Sequence, residues 1–168
     1  PLYTVQTVRD VSSPLILGYD VFAQASDAAT LPPMLEHCQQ LTGCRLNELL
    51  VDSAYVTGMD LAACAAQDVT LYGPWKAHDW SAPKTHPRFS KDQFTWHDDL
   101  DAYVCPAGHL LKRISCHTRV CSGGREVVEW QYRGEAKTCQ ACPLRQQCTT
   151  SQKGGRRVLR NEHEELIE

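Results

Sequence analysis

The cysteines constrain this chain most, because six of the nine are concentrated in residues 105–148. Within that stretch Cys139, Cys142 and Cys148 follow the spacing C-x2-C-x5-C, and Cys105 opens a Cys-Pro-Ala-Gly turn that offers a fourth thiol. Two thiolates on one tight turn can reach a single tetrahedral ion at ~2.3 Å. Structural zinc is therefore the favoured interpretation, since a small β-rich module gains stability from such a staple.

An iron–sulfur cluster is the alternative ligand for the same four thiols. One distant cysteine followed by C-x2-C-P-x4-C resembles the cluster motif of some RecB-like nucleases, and four thiolates suit either metal centre. A set of disulfides is the least favoured interpretation, because the chain shows no secretion signal. The scattered Cys38, Cys44 and Cys64 are predicted to be small buried hydrophobes.

The bulk composition is that of an ordinary globular protein, with 42% hydrophobic and 22% charged residues. No apolar run approaches the ~18 residues that a membrane helix needs. The N-terminus lacks a signal-peptide pattern, which favours a cytoplasmic location without a membrane partner. It also lacks an initiator methionine, so we expect a fragment or a processed product.

Charge is distributed unevenly along the chain. Residues 1–75 hold two basic against eight acidic side chains, a net −6, whereas residues 105–160 hold eleven basic against three acidic, a net +8. The basic half is compatible with a polyanionic partner such as DNA, and equally with a solubilising surface.

Residues 1–75 read as alternating β and α elements. Two apolar stretches predict a β-hairpin, and a helix follows with Ser26 or Asp27 as its N-cap and Gly43 at its end. The run Leu49–Val51 predicts a buried strand that ends at Asp52, Thr57 caps a second helix, and a short strand closes the segment. This order predicts an α/β fold: a partial RNase-H-like core, with a mixed sheet and flanking helices.

The second half changes character. Residues 76–93 are rich in Pro, Ser, Lys and Asp and are predicted to be a linker. Residues 94–160 are predicted to be a small β-rich insertion that carries the four cysteines, with a hairpin turn at 122–124. Residues 161–168 are predicted to begin a C-terminal helix.

Asp52 is the residue with the clearest chemical potential. Open α/β sheets place their sites beyond the carboxyl ends of their strands, and a carboxylate there can hold divalent cations for phosphodiester chemistry. The plain alternative is a carboxylate that caps the next helix or remains solvated. The spacing alone leaves both interpretations open.

The order of six segments resembles the DDE transposases of bacterial insertion sequences, in the subgroup with a cysteine-bearing insertion. The segments are YTVQT, SDAATLPPML, VDSAYVTGMDL, FTWHDDLDAYVCPAGHLL, CQACPLRQQCTTSQKGGRR and NEHEELIE. The resemblance places the family's second catalytic aspartate, within a D-x-G-Y motif, on Asp52 and Tyr55. The motif's glycine is Ala54 here, so the turn must accommodate a Cβ.

The resemblance implies an enzyme that cleaves DNA and transfers strands with Mg²⁺ or Mn²⁺, acting as an oligomer on transposon ends and target. It places the first catalytic aspartate upstream of the YTVQT strand and the catalytic glutamate beyond the last segment. A chain with Asp52 alone is therefore expected to be catalytically incomplete. The family's cysteines match Cys105, Cys139, Cys142 and Cys148, but not Cys116 or Cys121.

A basic segment follows the cysteines and is the candidate DNA contact. Its cations are Lys153, Arg156, Arg157 and Arg160, and Gly154-Gly155 allows a close backbone approach. A solvated turn is the plain alternative. For the whole chain, the competing hypothesis is a non-catalytic DNA- or protein-binding zinc module derived from a transposase.

Overall fold

The computed structural model describes residues 2–27, 29–75, 88–120 and 126–167. These residues fall into two compact units. The described part of the first unit consists of residues 2–75 together with residue 120 and residues 163–167, and that of the second consists of residues 88–119 and 126–162. The predicted hairpin turn at 122–124 and most of the predicted linker lie outside the described residues.

The first unit begins with an antiparallel hairpin, β1 (Thr4–Arg9) and β2 (Ile16–Phe22), as predicted. Helix α1 (Leu31–Thr42) ends at Gly43, whose φ of 65° is the left-handed conformation that favours glycine. The N-cap prediction is wrong, because the cap position is Thr30 and the Asp27 side chain is used elsewhere.

A parallel β-α-β unit completes this half: β3 (Glu48–Leu50), α2 (Gly58–Ala66) and β4 (Thr70–Tyr72). The Thr57 side chain caps α2 by accepting a hydrogen bond from the Asp60 amide, as predicted. The core between the helices and strands is formed by Leu31, Leu35, Cys64 and Val69. Packing on this apolar core sets the position of β3, and so of the residues that follow it.

The expected single mixed sheet is instead present as two separate two-stranded sheets. Among the described residues β1 pairs only with β2, and β3 only with β4, so β1 and β3 each keep one unpaired edge. The predicted buried strand is buried on one face only: Leu49 and Val51 pack against the core, whereas Leu50 is 71% exposed.

The second unit is a five-stranded antiparallel sheet in chain order. Its strands are β5 (Thr95–His97), β6 (Ala102–Val104), β7 (Leu110–Val120), β8 (Glu126–Gly134) and β9 (Arg157–Asn161). Two short helices, α3 (Ala136–Ala141) and α4 (Arg145–Cys148), connect β8 to β9; Cys139 lies in α3, Cys148 lies in α4, and Cys142 follows the end of α3.

This sheet is strongly curled. Strands β5 and β8 lie three positions apart, which in a flat sheet would separate them by roughly 14 Å. The rings of Trp96 on β5 and Tyr132 on β8 nevertheless lie 5.3 Å apart, and the Arg160 guanidinium on β9 lies 4.3 Å from the Trp96 ring. The interior row of side chains consists of Trp96, Tyr103, Leu111, Tyr132 and Val158. The edge strands therefore meet through their side chains, as in an open barrel.

Two boundaries differ from the sequence prediction. Residues 88–93, assigned to the linker, belong to the second unit, where the Phe89 amide donates to the Gln147 carbonyl. Where the start of a C-terminal helix is predicted, at residues 161–168, β9 runs to Asn161 and a single 3₁₀ turn (Glu164–Leu166) follows His163. Within the described residues, no helix has the length and apolarity required to cross a membrane.

Candidate functional site

Asp52 lies just beyond the carboxyl end of β3, and its side chain is exposed. Its Oδ1 atom accepts a hydrogen bond of 2.7 Å from the Ala54 amide, and its carbonyl accepts one from the Tyr55 amide, so residues 52–55 form a closed turn. Ala54 is absent from the residues with positive φ, so the turn accommodates its Cβ without backbone strain. The carboxylate is thus presented to solvent by a defined turn.

Three side chains form a polar chain behind this turn. The Tyr55 hydroxyl donates to Oε1 of the buried Gln6 on β1, and Gln6 Nε2 donates to Asp27 Oδ1 at 2.6 Å. Burial raises the pKa of Tyr55, and the charges of Asp27 and Asp52 raise it further. Tyr55 therefore remains a neutral hydroxyl donor, and both carboxylates are near enough to act on it.

A cavity of about 680 Å³ lies beside Asp52. The unpaired sides of β1 and β3 supply its walls through residues 6–10 and 48–52, and α1 contributes Leu31 and Met34. The lining of the cavity contains both apolar and polar side chains, and Asp52 and Tyr55 are among them.

Other carboxylates that could be mistaken for catalytic groups belong to other elements of the first unit. Asp20 lies on β2, where its Oδ2 is 3.9 Å from His37 Nδ1. Glu164 and Glu165 belong to the terminal 3₁₀ turn. Asp52 remains the candidate catalytic carboxylate in the first unit.

The second unit brings together Cys105, Cys139, Cys142 and Cys148. All four line one cavity of about 660 Å³, and none of them forms a disulfide. The strand end before Cys105 and the two short helices α3 and α4 deliver them from positions up to 43 residues apart in sequence. We refer to these four residues as the cysteine cluster.

Residues 105–109 form a turn in which a backbone amide donates a hydrogen bond to the cysteine sulfur. The His109 amide donates to Cys105 Sγ at 3.3 Å, and the Gly108 amide donates to the Cys105 carbonyl. Glycines make room for Cys139: a Cβ on Gly134 would lie 2.8 Å from Cys139 Sγ, and one on Gly155 would lie 1.9 Å from the Gly134 carbonyl oxygen. The Cys105 sulfur is thus held at the end of a closed turn, and the glycines leave room for Cys139.

The cluster is not drawn into a closed coordination shell. Among the described residues, no three Cys, His, Asp or Glu side chains are grouped as a metal ion would require. Burial raises the pKa of Cys148 to about 11, the Arg156 charge lowers it, and the three other cluster thiols raise it. The four thiols share one cavity, and thiols are the donor type that a soft metal prefers.

The remaining cysteines divide by burial. Cys38 and Cys64 are buried hydrophobes, as predicted, and burial raises the pKa of both. The prediction for Cys44 is wrong, because this residue is exposed at the end of α1. Cys116 is exposed on β7, apart from the cysteine cluster, and Cys121 lies outside the described residues.

The basic segment is divided between a loop, which holds Lys153 and Arg156, and strand β9, which holds Arg157 and Arg160. Lys153 and Arg157 are exposed, whereas Arg160 stacks on Trp96. Arg156 is 1% exposed, and its guanidinium donates to the Cys148 carbonyl at 2.7 Å and the Phe89 carbonyl at 3.3 Å. This burial removes Arg156 from the candidate DNA surface and makes it a support of the cysteine cluster.

Sequence reasoning missed two functional features. In the polar chain, Tyr55 and Gln6 are 49 positions apart in sequence, and Gln6 and Asp27 are 21 positions apart. A local sequence pattern does not predict contacts over such separations. The structural role of Arg156 was hidden because it sits in a run of exposed cations. Its position directly after Gly154-Gly155, which permits a tight approach, was the available signal.

Comparison with known families matches residues 104–168 to the transposase DDE domain family. The match spans 65 of the 168 residues and includes the whole cysteine cluster and the basic segment, but not Asp52. It supports a relationship to DDE transposases. No curated protein and no solved structure gave a significant match to the chain.

Proposed function

We propose that this chain is part of a bacterial insertion-sequence DDE transposase, with Asp52 as one of its metal-binding carboxylates. The observation that carries the proposal is the exposed Asp52 carboxylate, fixed by a turn at the carboxyl end of β3 in a parallel β-α-β unit. The family match over residues 104–168 supports the same function from the other half of the chain.

The cavity beside Asp52 suggests where another part of the complete protein completes the catalytic site. Its walls are the unpaired sides of β1 and β3, and two-stranded sheets are marginal by themselves. We assign this space to the strand that the family places upstream and that carries the first aspartate. That strand would join the two sheets into one and set a second carboxylate near Asp52.

The described residues fit a magnesium site only as one contributor. Magnesium requires hard oxygen ligands, and Asp52 provides such a ligand at the edge of the cavity. When bound, divalent cations stabilise the attacking and leaving oxygens of a phosphodiester. The chain's own contribution is to hold the Asp52 carboxylate: the Ala54 amide fixes Oδ1, and the side chain remains exposed. Alone, this chain is proposed to be inactive.

The cysteine cluster is proposed to hold structural zinc. The donor set consists of the four thiols that line one cavity. An amide that donates to Cys105 Sγ and glycines that leave space for Cys139 position these thiols. Zinc at this position would join the end of β6 to helices α3 and α4. An iron–sulfur cluster is the alternative that the same donors allow.

The exposed cations of the basic segment are proposed to contact the DNA backbone. Lys153 and Arg157 are exposed, and Arg160 lies half-exposed on the Trp96 ring. Phosphate contacts of this kind provide affinity without sequence selection and weaken as salt rises. The complete protein is proposed to act as an oligomer on transposon ends and target, in a bacterial cytoplasm.

The test is metal-dependent strand cleavage by the complete transposase on its own element ends. Asp52→Asn keeps the shape of the side chain and removes its charge, so cleavage should fall at least about 10³-fold, since a metal ligand acts in the transition state. The matched control is Asp68→Asn, because Asp68 is an exposed aspartate after α2 that pairs at the surface with Arg45. Undiminished cleavage by Asp52→Asn would overturn the proposal.

A non-catalytic zinc module is the second candidate function. The observation that favours it is that the family match lies on the half with the cysteine cluster and excludes Asp52. It predicts salt-dependent DNA binding with no cleavage under any divalent metal, even when the complete reading frame is supplied. The cleavage assay therefore separates the two candidates.

A further inference from the structure

We propose that Tyr55 is a positioning residue for Asp52, acting through Gln6 and Asp27. The inference rests on the proposed function of Asp52 and adds the side chains that hold it in place. Tyr55 closes the Asp52 turn at its backbone, where its amide donates to the Asp52 carbonyl at 3.2 Å. Its hydroxyl leaves the turn and donates to Gln6 on a different sheet.

Gln6 is the centre of this arrangement. It is 9% exposed, and its amide group is used at both ends, accepting from Tyr55 and donating to Asp27 at 2.6 Å. A buried amide that lost either partner would carry the cost of an unsatisfied polar group. The chain of three side chains is therefore held as one unit rather than as independent contacts.

The anchor points of the chain belong to three separate parts of the first unit. Gln6 lies on β1, Asp27 lies before α1, and Tyr55 lies between β3 and α2. The turn that carries Asp52 is also held by the Val51 amide, which donates to the Tyr72 carbonyl, and by the packing of Tyr55 against the apolar core. The polar chain fixes it also to the hairpin sheet, across the cavity that both sheets border.

The polar chain therefore orients the Asp52 carboxylate before any metal ion binds to it. Oδ1 is fixed by the Ala54 amide, and the Ala54 amide is fixed by a turn whose last residue is tethered at both backbone and side chain. Partners of this kind behind a metal ligand typically contribute 10–100-fold to metal affinity or activity. Tyr55 does not itself touch substrate or metal in this scheme.

The first experiment uses the 168-residue chain and Tyr55→Phe, which removes the hydroxyl and keeps the ring. We expect the Ala54 amide to exchange with water about 10-fold faster by NMR, since its acceptor is released, while the Val51 amide, bonded to the Tyr72 carbonyl, is unchanged. Tyr19→Phe is the matched control, because Tyr19 is exposed on β2. Unchanged Ala54 exchange, or equal acceleration at Val51, would overturn the inference.

The second experiment uses the complete transposase and separates metal use from DNA binding. Tyr55→Phe should raise the Mg²⁺ concentration for half-maximal cleavage by about 10-fold and leave the KM for DNA unchanged. Gln6→Leu should do the same, and the double variant should cost no more than the larger single effect. An unchanged Mg²⁺ requirement, a change in the KM for DNA alone, or additive effects would each contradict positioning.

The two experiments fail separately. A wild-type complete protein without metal-dependent cleavage would remove the proposed function, whereas the exchange of the Ala54 amide would still report whether the tether exists. Metal-dependent cleavage that is insensitive to Tyr55→Phe would leave the function standing and remove the positioning role.

Discussion

At the scale of single residues, buried polar groups explain more of this molecule than exposed ones. Arg156 is the clearest example, since a cation at 1% exposure must exchange water for fixed acceptors. It finds the Cys148 and Phe89 carbonyls and stacks at 5.1 Å on the Phe94 ring. It thereby ties the last cluster cysteine to the start of the second unit.

Replacing Arg156 by Lys should therefore destabilise the second unit. A lysine keeps the charge but cannot reach two carbonyls with a planar fork, so we expect a loss of about 2–3 kcal/mol in the free energy of unfolding. Urea denaturation followed by tryptophan fluorescence reports this unit through Trp96 and Trp130 when Trp75 and Trp80 are replaced by Phe in all the variants compared. Arg157→Lys, at the exposed neighbour, should change stability by less than about 0.5 kcal/mol. Equal effects of the two substitutions would contradict the assignment.

The residue-scale features differ in how far the sequence reveals them. The position of Asp52 after an apolar run and the cap at Thr57 are local patterns, and the structure places both as expected. The partners of Gln6 are not local, because they depend on how the hairpin packs against the turn.

At the scale of elements, the second unit shows how composition can conceal a strand. Successive side chains of β9, from Arg157 through Val158 and Leu159 to Arg160, point to opposite faces of the sheet. The arginine at each end hides this period of two, because the sequence shows no alternation of polar and apolar residues. The inward side chains of β9 are Val158, which is buried, and Arg160, whose guanidinium rests on Trp96. Arginine can serve as an inward residue because a curled sheet brings an aromatic ring within reach. The curl of the sheet arises from tertiary packing, so the sequence of a single strand does not predict it.

The elements α3 and α4 are short, and a metal is expected to hold them. Elemental analysis of the purified chain should find about one zinc per chain. Cys142→Ser should lose that zinc and lower the thermal unfolding temperature, since binding free energy at such sites contributes to folding. Cys116→Ser is the matched control, because Cys116 is exposed on β7.

Two results of that analysis would contradict structural zinc. Iron in the purified chain, with broad absorbance at about 400 nm, would identify an iron–sulfur cluster instead. A chain that folds equally well with all four cluster cysteines replaced by serine would show that no metal is needed.

At the scale of the whole molecule, the two halves differ in charge and in architecture. The α/β unit in residues 1–75 carries a net −6, which suits a site that gathers divalent cations, and residues 105–160 carry a net +8, which suits a phosphate backbone. Composition and periodicity change together near residue 76, but the sequence does not reveal that residue 120 and residues 163–167 belong with the first unit. It does not predict that the first unit holds two separate sheets, since strand pairing depends on which edges find a partner.

The most direct measurement of the central claim is a change of metal preference at residue 52. Asp52→Cys replaces an oxygen ligand by a thiolate, which binds Mg²⁺ poorly and accepts softer ions. In the complete transposase, cleavage by Asp52→Cys should be lost in Mg²⁺ and partly restored in Mn²⁺, whereas Asp52→Asn should be inactive in both. Full Mg²⁺-dependent cleavage by either variant would show that Asp52 does not hold the metal.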